Sequence, residues 1–154
     1  MKICFFVSCL SILFANITLA QGENNIWPTK GNYGLNFNTA IEPSLYDSSA
    51  CKKAGGGIAA VCDKTGALLF YSDGISVFDR THLAMPNGSG LMIDSFFNSG
   101  VAIAKVKGDD SLYFLFYLSN NLKSLYNKLT YSIVNMKLNG GKGDIVFGKK
   151  KYFY

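Results

Sequence analysis

The chain has little of what metal and nucleophile chemistry requires. It contains one histidine and four cysteines among 154 residues. Cys4 and Cys9 fall in an apolar N-terminal segment, so only Cys51 and Cys62 belong to the remainder. A zinc site built from several cysteine and histidine ligands is therefore excluded, and neither a metal nor a cofactor is predicted.

Runs of helix-forming alanine, glutamate and leucine are also scarce. Aromatic residues make up 14% of the chain, and it has 16 glycines. This composition is typical of an all-β protein rich in turns. The only glutamates are Glu23 and Glu42, both in predicted loops, so nothing favours a carboxylate pair for glycoside hydrolysis, although an aspartate pair stays open.

The positive charge is not concentrated enough to indicate a nucleic-acid partner. The formal net charge is +5, and part of it comes from Lys149–Lys151. Elsewhere the lysines are scattered, as on a solvated surface, whereas nucleic-acid binding needs a clustered basic face. No nucleic-acid binding is predicted.

Residues 1–20 have the pattern of a secretory signal peptide. Lys2 gives a positive start, Ile3–Ala15 is almost wholly apolar, and Thr18-Leu19-Ala20 provides small residues before the predicted cut. A membrane anchor and a lipoprotein cut before Cys9 are the alternatives, but Asn16 and Thr18 shorten the apolar run below a membrane span. The mature domain is predicted at 21–154, exported to the cell surface or secreted, with no membrane span.

An oxidising compartment makes Cys51 and Cys62 a candidate disulfide. Ten residues separate them, a distance that suits two neighbouring strands of a hairpin. The alternative is a pair of half-buried thiols, because spacing alone does not give the Cα separation that a disulfide needs.

The first part of the mature chain predicts short strands at 25–27 and 35–38, with a loop over Thr39–Lys53. Leu35-Asn36-Phe37-Asn38 alternates between apolar and polar residues, as a half-buried strand does. We expect Trp27, Tyr33, Leu35 and Phe37 to anchor the core. The alternative is an exposed aromatic platform that stacks on a ligand.

Two antiparallel meanders follow, in blade-like units at about 54–91 and 101–148. Each has the spacing of a propeller blade, which is about 40–50 residues for four strands. Closed propellers use about four to eight blades, so the chain predicts two to three blades of an incomplete β-propeller. We expect it to be truncated; an open stack of small sheets is the alternative, and open sheet edges predict self-association.

The segment 68–88 carries most of the local information. Its runs of β-forming residues are broken by Ser72-Asp73-Gly74 and end in Pro86-Asn87-Gly88, which predicts a hairpin followed by a loop. The residues predicted to shape turns are Asp63, Gly66, Asp73, Gly74, Pro86, Gly88, Gly140 and Gly141.

His82 is the only histidine that could act as a general base, and Asp79 is the only acid near it in sequence. A catalytic triad would also need a nucleophile beside them, so local hydrogen bonding within a turn is the preferred interpretation. Turn aspartates could bind calcium, but no loop repeats the ligand spacing of a known calcium motif.

Three blocks, in this order, resemble the N-terminal β-propeller-like region of large secreted Bacteroidetes proteins. Those proteins end in a gliding-motility-associated sorting domain for type IX secretion. The blocks are Asn25–Trp27 with Gly31–Asn38, Gly66–Arg80 continued by His82 and Met85–Gly88, and Met136–Ile145. The resemblance implies a WD-repeat-like propeller fold at the start of an exported, cell-surface or secreted protein, and it provides no catalytic residue set to transfer to this chain. Pro28 departs from it, since family members have an aromatic residue there.

The expected function is a non-catalytic binding or scaffold module with a protein or glycan partner at the cell surface. The candidate contact residues are Tyr33, Tyr46, Arg80, His82 and Asn87. An incomplete propeller glycosidase or lyase, and a non-functional gene remnant, are the alternatives. An in-frame continuation of the genomic DNA past Tyr154 would favour the remnant.

Overall fold

The structure is a computed structural model that describes residues 22–29, 31, 33–39, 41–47, 57–91, 100–120, 127–146 and 151–152. These residues form an all-β structure of three antiparallel sheets, none of which closes into a barrel. Short 3-10 turns lie at Gly22–Asn24 and Asn139–Gly141. In the described part of the chain, no helix has the length and apolar character needed to cross a membrane.

The first sheet consists of β1 (Ile26–Trp27), β2 (Tyr33–Asn36) and β3 (Ser44–Asp47), in that order. The prediction of a loop throughout Thr39–Lys53 was wrong, because β3 lies inside it. β3 has only four residues, with Leu45 and Tyr46 adjacent between two polar residues, and so short a run without alternation gives a weak strand signal.

The middle sheet consists of β4 (Ala59–Cys62), β5 (Leu68–Ser72), β6 (Ser76–Asp79) and β7 (Ala84–Ser89). The predicted turn at Pro86 and Gly88 was wrong, because both residues lie within β7. β7 is an edge strand of this sheet, and a proline is tolerated where its missing N–H would face away from the ladder.

The last sheet consists of β8 (Val101–Lys105), β9 (Leu112–Asn120), β10 (Asn127–Asn135), β11 (Asp144–Ile145) and β12 (Lys151–Tyr152). β9 pairs along one side of β10, and both β11 and β12 pair with β10 as well. They therefore share its other side as one interrupted edge strand. The terminal strand expected at 149–154 lengthens the last sheet and does not start a new one.

The three sheets pack face to face, and the middle sheet is covered on both faces. Phe70 makes an edge contact with Tyr113 of the last sheet, with ring centroids 5.4 Å apart. The next residue, Tyr71, points the opposite way and lies beside His82, which in turn contacts Tyr46 of the first sheet. Burial on both sides explains why β5 has consecutive buried residues instead of an alternating pattern.

Most of the core lies between the middle and last sheets. Its buried members are Val61, Phe70, Val77, Met85, Leu91, Tyr113, Leu115, Tyr117, Val134, Met136 and Ile145. The arrangement is that of consecutive antiparallel meanders and is consistent with incomplete propeller blades.

Cys62 is buried and has a free thiol. Burial raises the pKa of this thiol, and backbone hydrogen bonds at Ile26 and Asn25 oppose the rise. Cys51 lies outside the described residues. The free thiol of Cys62 does not support the predicted Cys51–Cys62 disulfide and agrees with the alternative of unpaired thiols. The signal peptide at 1–20 stays a prediction, because it also lies outside the described residues.

Candidate functional site

Three turns between strands are held by the same side-chain device. In each, an aspartate Oδ1 accepts hydrogen bonds from the backbone N–H and the hydroxyl of the Thr or Ser two residues later. The pairs are Asp63 with Thr65, Asp79 with Thr81, and Asp109 with Ser111, with bonds of 2.6–2.8 Å. This Asp-x-Thr/Ser pattern recurs in the sequence, and its spacing could have identified the three turns together.

These bonds favour the charged form of each carboxylate. The hydroxyl of Thr65 is the main cause of the lowered pKa of Asp63, and the hydroxyl of Ser111 has the same effect on Asp109. At Asp79 burial opposes ionisation, but the bonds from Thr81 and Leu83 together outweigh it and lower the pKa. A carboxylate held ionised in this way is a poor proton donor.

His82 links the first sheet to the middle sheet. Its Nε2 lies 3.4 Å from the Tyr46 hydroxyl, and its Nδ1 lies 3.3 Å from the Tyr71 hydroxyl. Its φ of 64° is in the left-handed region, as the β6–β7 turn requires. The Oδ1 of Asp79 accepts the backbone N–H groups of Thr81 and Leu83 in the same turn. Asp79 and His82 therefore shape a turn of the middle sheet, and His82 connects this turn to the first sheet.

Arg80 and Asn87 both join the middle sheet to the last sheet. The Arg80 guanidinium donates to the carbonyl of Gly141 at 2.9 Å. The backbone N–H and side-chain amide of Asn87 donate to the two carboxylate oxygens of Asp144, at 2.9 and 2.8 Å. Local sequence patterns do not reveal the role of Asp144, because its partner is 57 residues away.

The other predicted turn residues lie at the ends of strands. Gly66 and Gly74 have φ values of 87° and 86° in the β4–β5 and β5–β6 turns. Asp73 accepts the backbone N–H groups of Ile75 and Ser76. Gly140 and Gly141 lie in the 3-10 turn before β11, both with positive φ.

A charged cleft of about 370 Å³ lies between the middle and last sheets. Lys105 contributes its ammonium group, 2.8 Å from a carboxylate oxygen of Asp110 and 3.3 Å from one of Glu23. Lys64 lies 3.3 Å from the other oxygen of Asp110. The hydrogen bond to Lys105 is the main cause of the lowered pKa of Asp110. Two acids of this cleft, Glu23 and Asp110, are thus paired with Lys105. In the part of the chain that the structure describes, no group of three or more His, Cys, Asp or Glu residues could hold a metal ion.

A second groove, of about 440 Å³, runs along β1, β4 and β8, which are one strand from each of the three sheets. β1 and β8 both contact β4, and each of the three strands is an edge of its own sheet. Ala59, Ala60 and Ala102, all with small side chains, are among the residues that line the groove. The groove is bordered by Trp27, the only tryptophan of the chain.

The aromatic residues expected to anchor the core lie on the surface. Trp27 is 56% exposed and Tyr33 is 62% exposed, and Phe37 is also exposed. The Trp27 and Phe37 rings are 5.0 Å apart. The core-anchor prediction was therefore wrong for these three residues, and the arrangement agrees with the alternative of an exposed aromatic platform. The buried face of the first sheet is the opposite one, on which Ile26 lies.

Comparisons with known proteins give no match to a protein-family model, to a curated protein or to a solved structure. The resemblance to the propeller-like region of secreted Bacteroidetes proteins stays a prediction.

Proposed function

We propose that this chain is an exported, non-catalytic, propeller-like module that binds a glycan or protein ligand at the cell surface or outside the cell. The observation that carries the proposal is the groove along β1, β4 and β8, with the exposed Trp27 at its border. Ligand sites in proteins are concave, are lined mainly by apolar groups and have a few polar groups that orient the ligand.

The groove meets these requirements. Its volume of about 440 Å³ lies within the usual range for ligand pockets, about 300–1,000 Å³. Thr29 and Asn24 add polar groups to walls that are otherwise formed mainly by small and aliphatic side chains. An indole ring offers a large, rigid apolar face, which suits packing against a sugar ring or an apolar peptide side chain.

The state of the acidic groups favours binding over catalysis. A glycosidase needs a carboxylic acid whose pKa is raised so that it can donate a proton. Asp63, Asp79, Asp109 and Asp110 have lowered pKa values, because they accept bonds from hydroxyls, backbone N–H groups or Lys105. Asp144 is occupied by Asn87.

The lone tryptophan gives a direct test. The full chain would be expressed with its leader, purified after processing and titrated with soluble oligosaccharides and with extended peptides. We expect one ligand class to change the emission of Trp27 in a saturable way. Trp27→Ala should weaken binding, measured by calorimetry, by about tenfold, the upper end of what one aromatic contact contributes.

Leu83→Ala is the matched control, since Leu83 is a large exposed residue of the β6–β7 turn, away from the groove. It should leave affinity unchanged. Saturable binding that is insensitive to Trp27→Ala would place the ligand elsewhere. Turnover of a substrate that is lost on Asp73→Asn or His82→Ala would replace the proposal with the enzyme alternative.

A further inference from the structure

The first sheet has one face that no other described sheet covers. Side chains of neighbouring residues in a strand point to opposite faces, and directly paired residues share a face. Trp27, Leu35 and Leu45 are directly paired across β1, β2 and β3, so they lie together on one face. Tyr33 lies on the same face, two residues before Leu35. Leu45 is 72% exposed, which shows how open this face is. We call it the leading face.

The last sheet has a second apolar face that no other described sheet covers, and we call it the trailing face. The alternation in β9 and β10 turns Tyr117 and Thr130 toward the middle sheet, where they are buried. The residues of the opposite face include Ala102, Ala104, Phe114, Phe116, Leu118, Leu129, Tyr131 and Ile133. The rings of Phe114, Phe116 and Tyr131 form a cluster with centroids 5.6–6.1 Å apart.

The two faces carry few charges at their described strand positions. Asp47, which pairs with Tyr33, lies on the leading face. The trailing face includes Lys151, which pairs with Tyr131, and Asp144, which pairs with Asn135 and is already bonded to Asn87. Single exposed apolar residues are ordinary on a protein surface, but contiguous apolar faces mark interaction sites.

The packing inside the molecule shows what kind of surface each face would meet. The trailing side of the first sheet packs on the leading side of the middle sheet, and the trailing side of the middle sheet packs on the leading side of the last sheet. A second copy that placed its leading face on the trailing face of the first copy would repeat this trailing-to-leading packing of neighbouring sheets. A contact between two leading faces would not repeat that packing.

We propose that two copies of this chain associate head to tail, so that the trailing face of each covers the leading face of the other. Two copies, each with the three described sheets, contribute six sheets, within the about four to eight that close a ring of radially packed sheets. A heterologous contact of this kind generates a closed ring when its rotation returns to the start. Closure would also complete the wall of the groove along β1, β4 and β8.

The trailing face has a shape that can receive side chains from a partner. A hollow of about 270 Å³ lies on the last sheet, with Ala102, Phe116, Leu118 and Leu129 among its lining residues. The leading face has protruding side chains at Leu45 and Tyr33. An apolar side chain that fills such a hollow removes apolar surface from water on both partners, which is the main driving force of association.

The test begins with the oligomeric state. The processed chain would be examined by sedimentation velocity over about 1–100 µM, where contacts of moderate affinity dissociate. We expect twice the mass of one chain at the upper end. Leu45→Asp on the leading face and Leu129→Lys on the trailing face should each weaken the dimer at least about tenfold, since each buries an unpaired charge in both contacts of the ring.

A mixture of the two variants distinguishes the head-to-tail ring from other dimers. In a ring with one copy of each variant, one contact is unaltered, and the other brings the introduced aspartate and the introduced lysine together as opposite charges. We therefore expect the mixture to recover the dimer that neither variant forms alone. Leu83→Asp places the same charge on an exposed leucine of the β6–β7 turn and should change nothing.

The wild-type chain provides a measurement that does not depend on the folding of any variant. Trp27 lies on the leading face, so its emission should shift to longer wavelength as dilution separates the copies. A monomer at all concentrations, a dimer that survives both substitutions, or a dimer that is lost only on Leu45→Asp and is not recovered in the mixture would overturn the proposal. Ligand binding at Trp27 could still hold in each of these cases.

Discussion

At the scale of single residues, most of the polar chemistry serves the backbone. Oδ1 of Asp79 accepts three hydrogen bonds, from the N–H and hydroxyl of Thr81 and from the N–H of Leu83. Asp79 is only 2% exposed, and its three bonds are part-buried. Removing the acceptor leaves part-buried donors without their partner, which costs more than an average hydrogen bond contributes.

We predict that Asp79→Ala lowers the free energy of unfolding by about 1–3 kcal/mol. Asp79→Asn should cost less, because its amide oxygen can still accept the turn bonds. Urea unfolding followed by circular dichroism measures both effects. Asp110→Ala is the control, since its side chain is 74% exposed and surface ion pairs contribute little. Equal losses for Asp79→Ala and Asp110→Ala would contradict the capping role.

The same carboxylate contributes to the loss of stability in acid. The pKa of Asp79 is lower in the folded protein than the ordinary value of 3.8, so the unfolded chain binds the proton more tightly. Its contribution is present above pH 3.8 and is lost as the pH falls through the lower folded pKa. Asp79→Asn should therefore reduce the loss of stability below this pH, at constant ionic strength.

At the scale of strands, the edge position of β7 explains a segment that resembles a turn in the sequence. Pro86 lies within the strand, and Gly88 is buried. A Cβ atom at Gly88 would lie 2.6 Å from the carbonyl oxygen of Val77 and 2.9 Å from the Cβ of Met85. Glycine is required at this position by the close approach of β6, and not by a turn.

We predict that Gly88→Ala destabilises the protein by about 1–3 kcal/mol, because the clash involves backbone that cannot move without disturbing the β6–β7 pairing. Ser89→Ala is the matched control, since Ser89 is the next residue of the same strand and is exposed. Thermal unfolding of the two variants measures the difference. If alanine at position 88 were as well tolerated as alanine at position 89, the close packing of β6 and β7 would be refuted.

The hairpins also repeat between sheets. The first hairpin of the middle sheet turns at Asp63 and the first hairpin of the last sheet turns at Asp109, each with the same bonds to a hydroxyl residue two positions later. The connection between the third and fourth strands turns at Asp79 in the middle sheet and at Asn135 in the last sheet. In each, the side-chain Oδ1 accepts the backbone N–H of the residue two positions later, Thr81 or Lys137. This correspondence indicates that the two sheets are variants of one structural unit.

At the scale of the whole molecule, the middle sheet packs against both of the other sheets. Phe70 is fully buried against Tyr113 of the last sheet, while its neighbour Tyr71 faces the first sheet. We therefore expect that a loss of packing on one face of the middle sheet also destabilises the sheet packed on its other face.

We predict that Phe70→Leu lowers stability by about 1–3 kcal/mol and shifts two transitions equally. Circular dichroism follows all three sheets, whereas the emission of Trp27 follows the first sheet, which does not contain the substitution. Leu83→Ala should leave both transitions in place. A Trp27 transition that does not move in Phe70→Leu would show that the first sheet unfolds independently.

Short-range physics made much of the fold predictable. The glycines and aspartates at 63–66, 73–74 and 139–144 indicate turns, and β-forming residues between them indicate strands. Both signals act within a few residues, so they do not depend on the rest of the molecule. The two strands that the sequence did not predict were β3 and β7. β3 has only four residues, and β7 contains Pro86 and Gly88, which are typical of turns but here lie in an edge strand.

The sequence by itself thus determined the all-β class, the antiparallel meanders and most of their turns. The tertiary structure decided which face of each strand is buried, because that depends on which sheet packs next. It placed Trp27 at the groove and not in the core, and it joined Asn87 to Asp144 across 57 residues. Periodicity shows that a strand has two different faces, but only the stacking of sheets determines which face remains open to solvent.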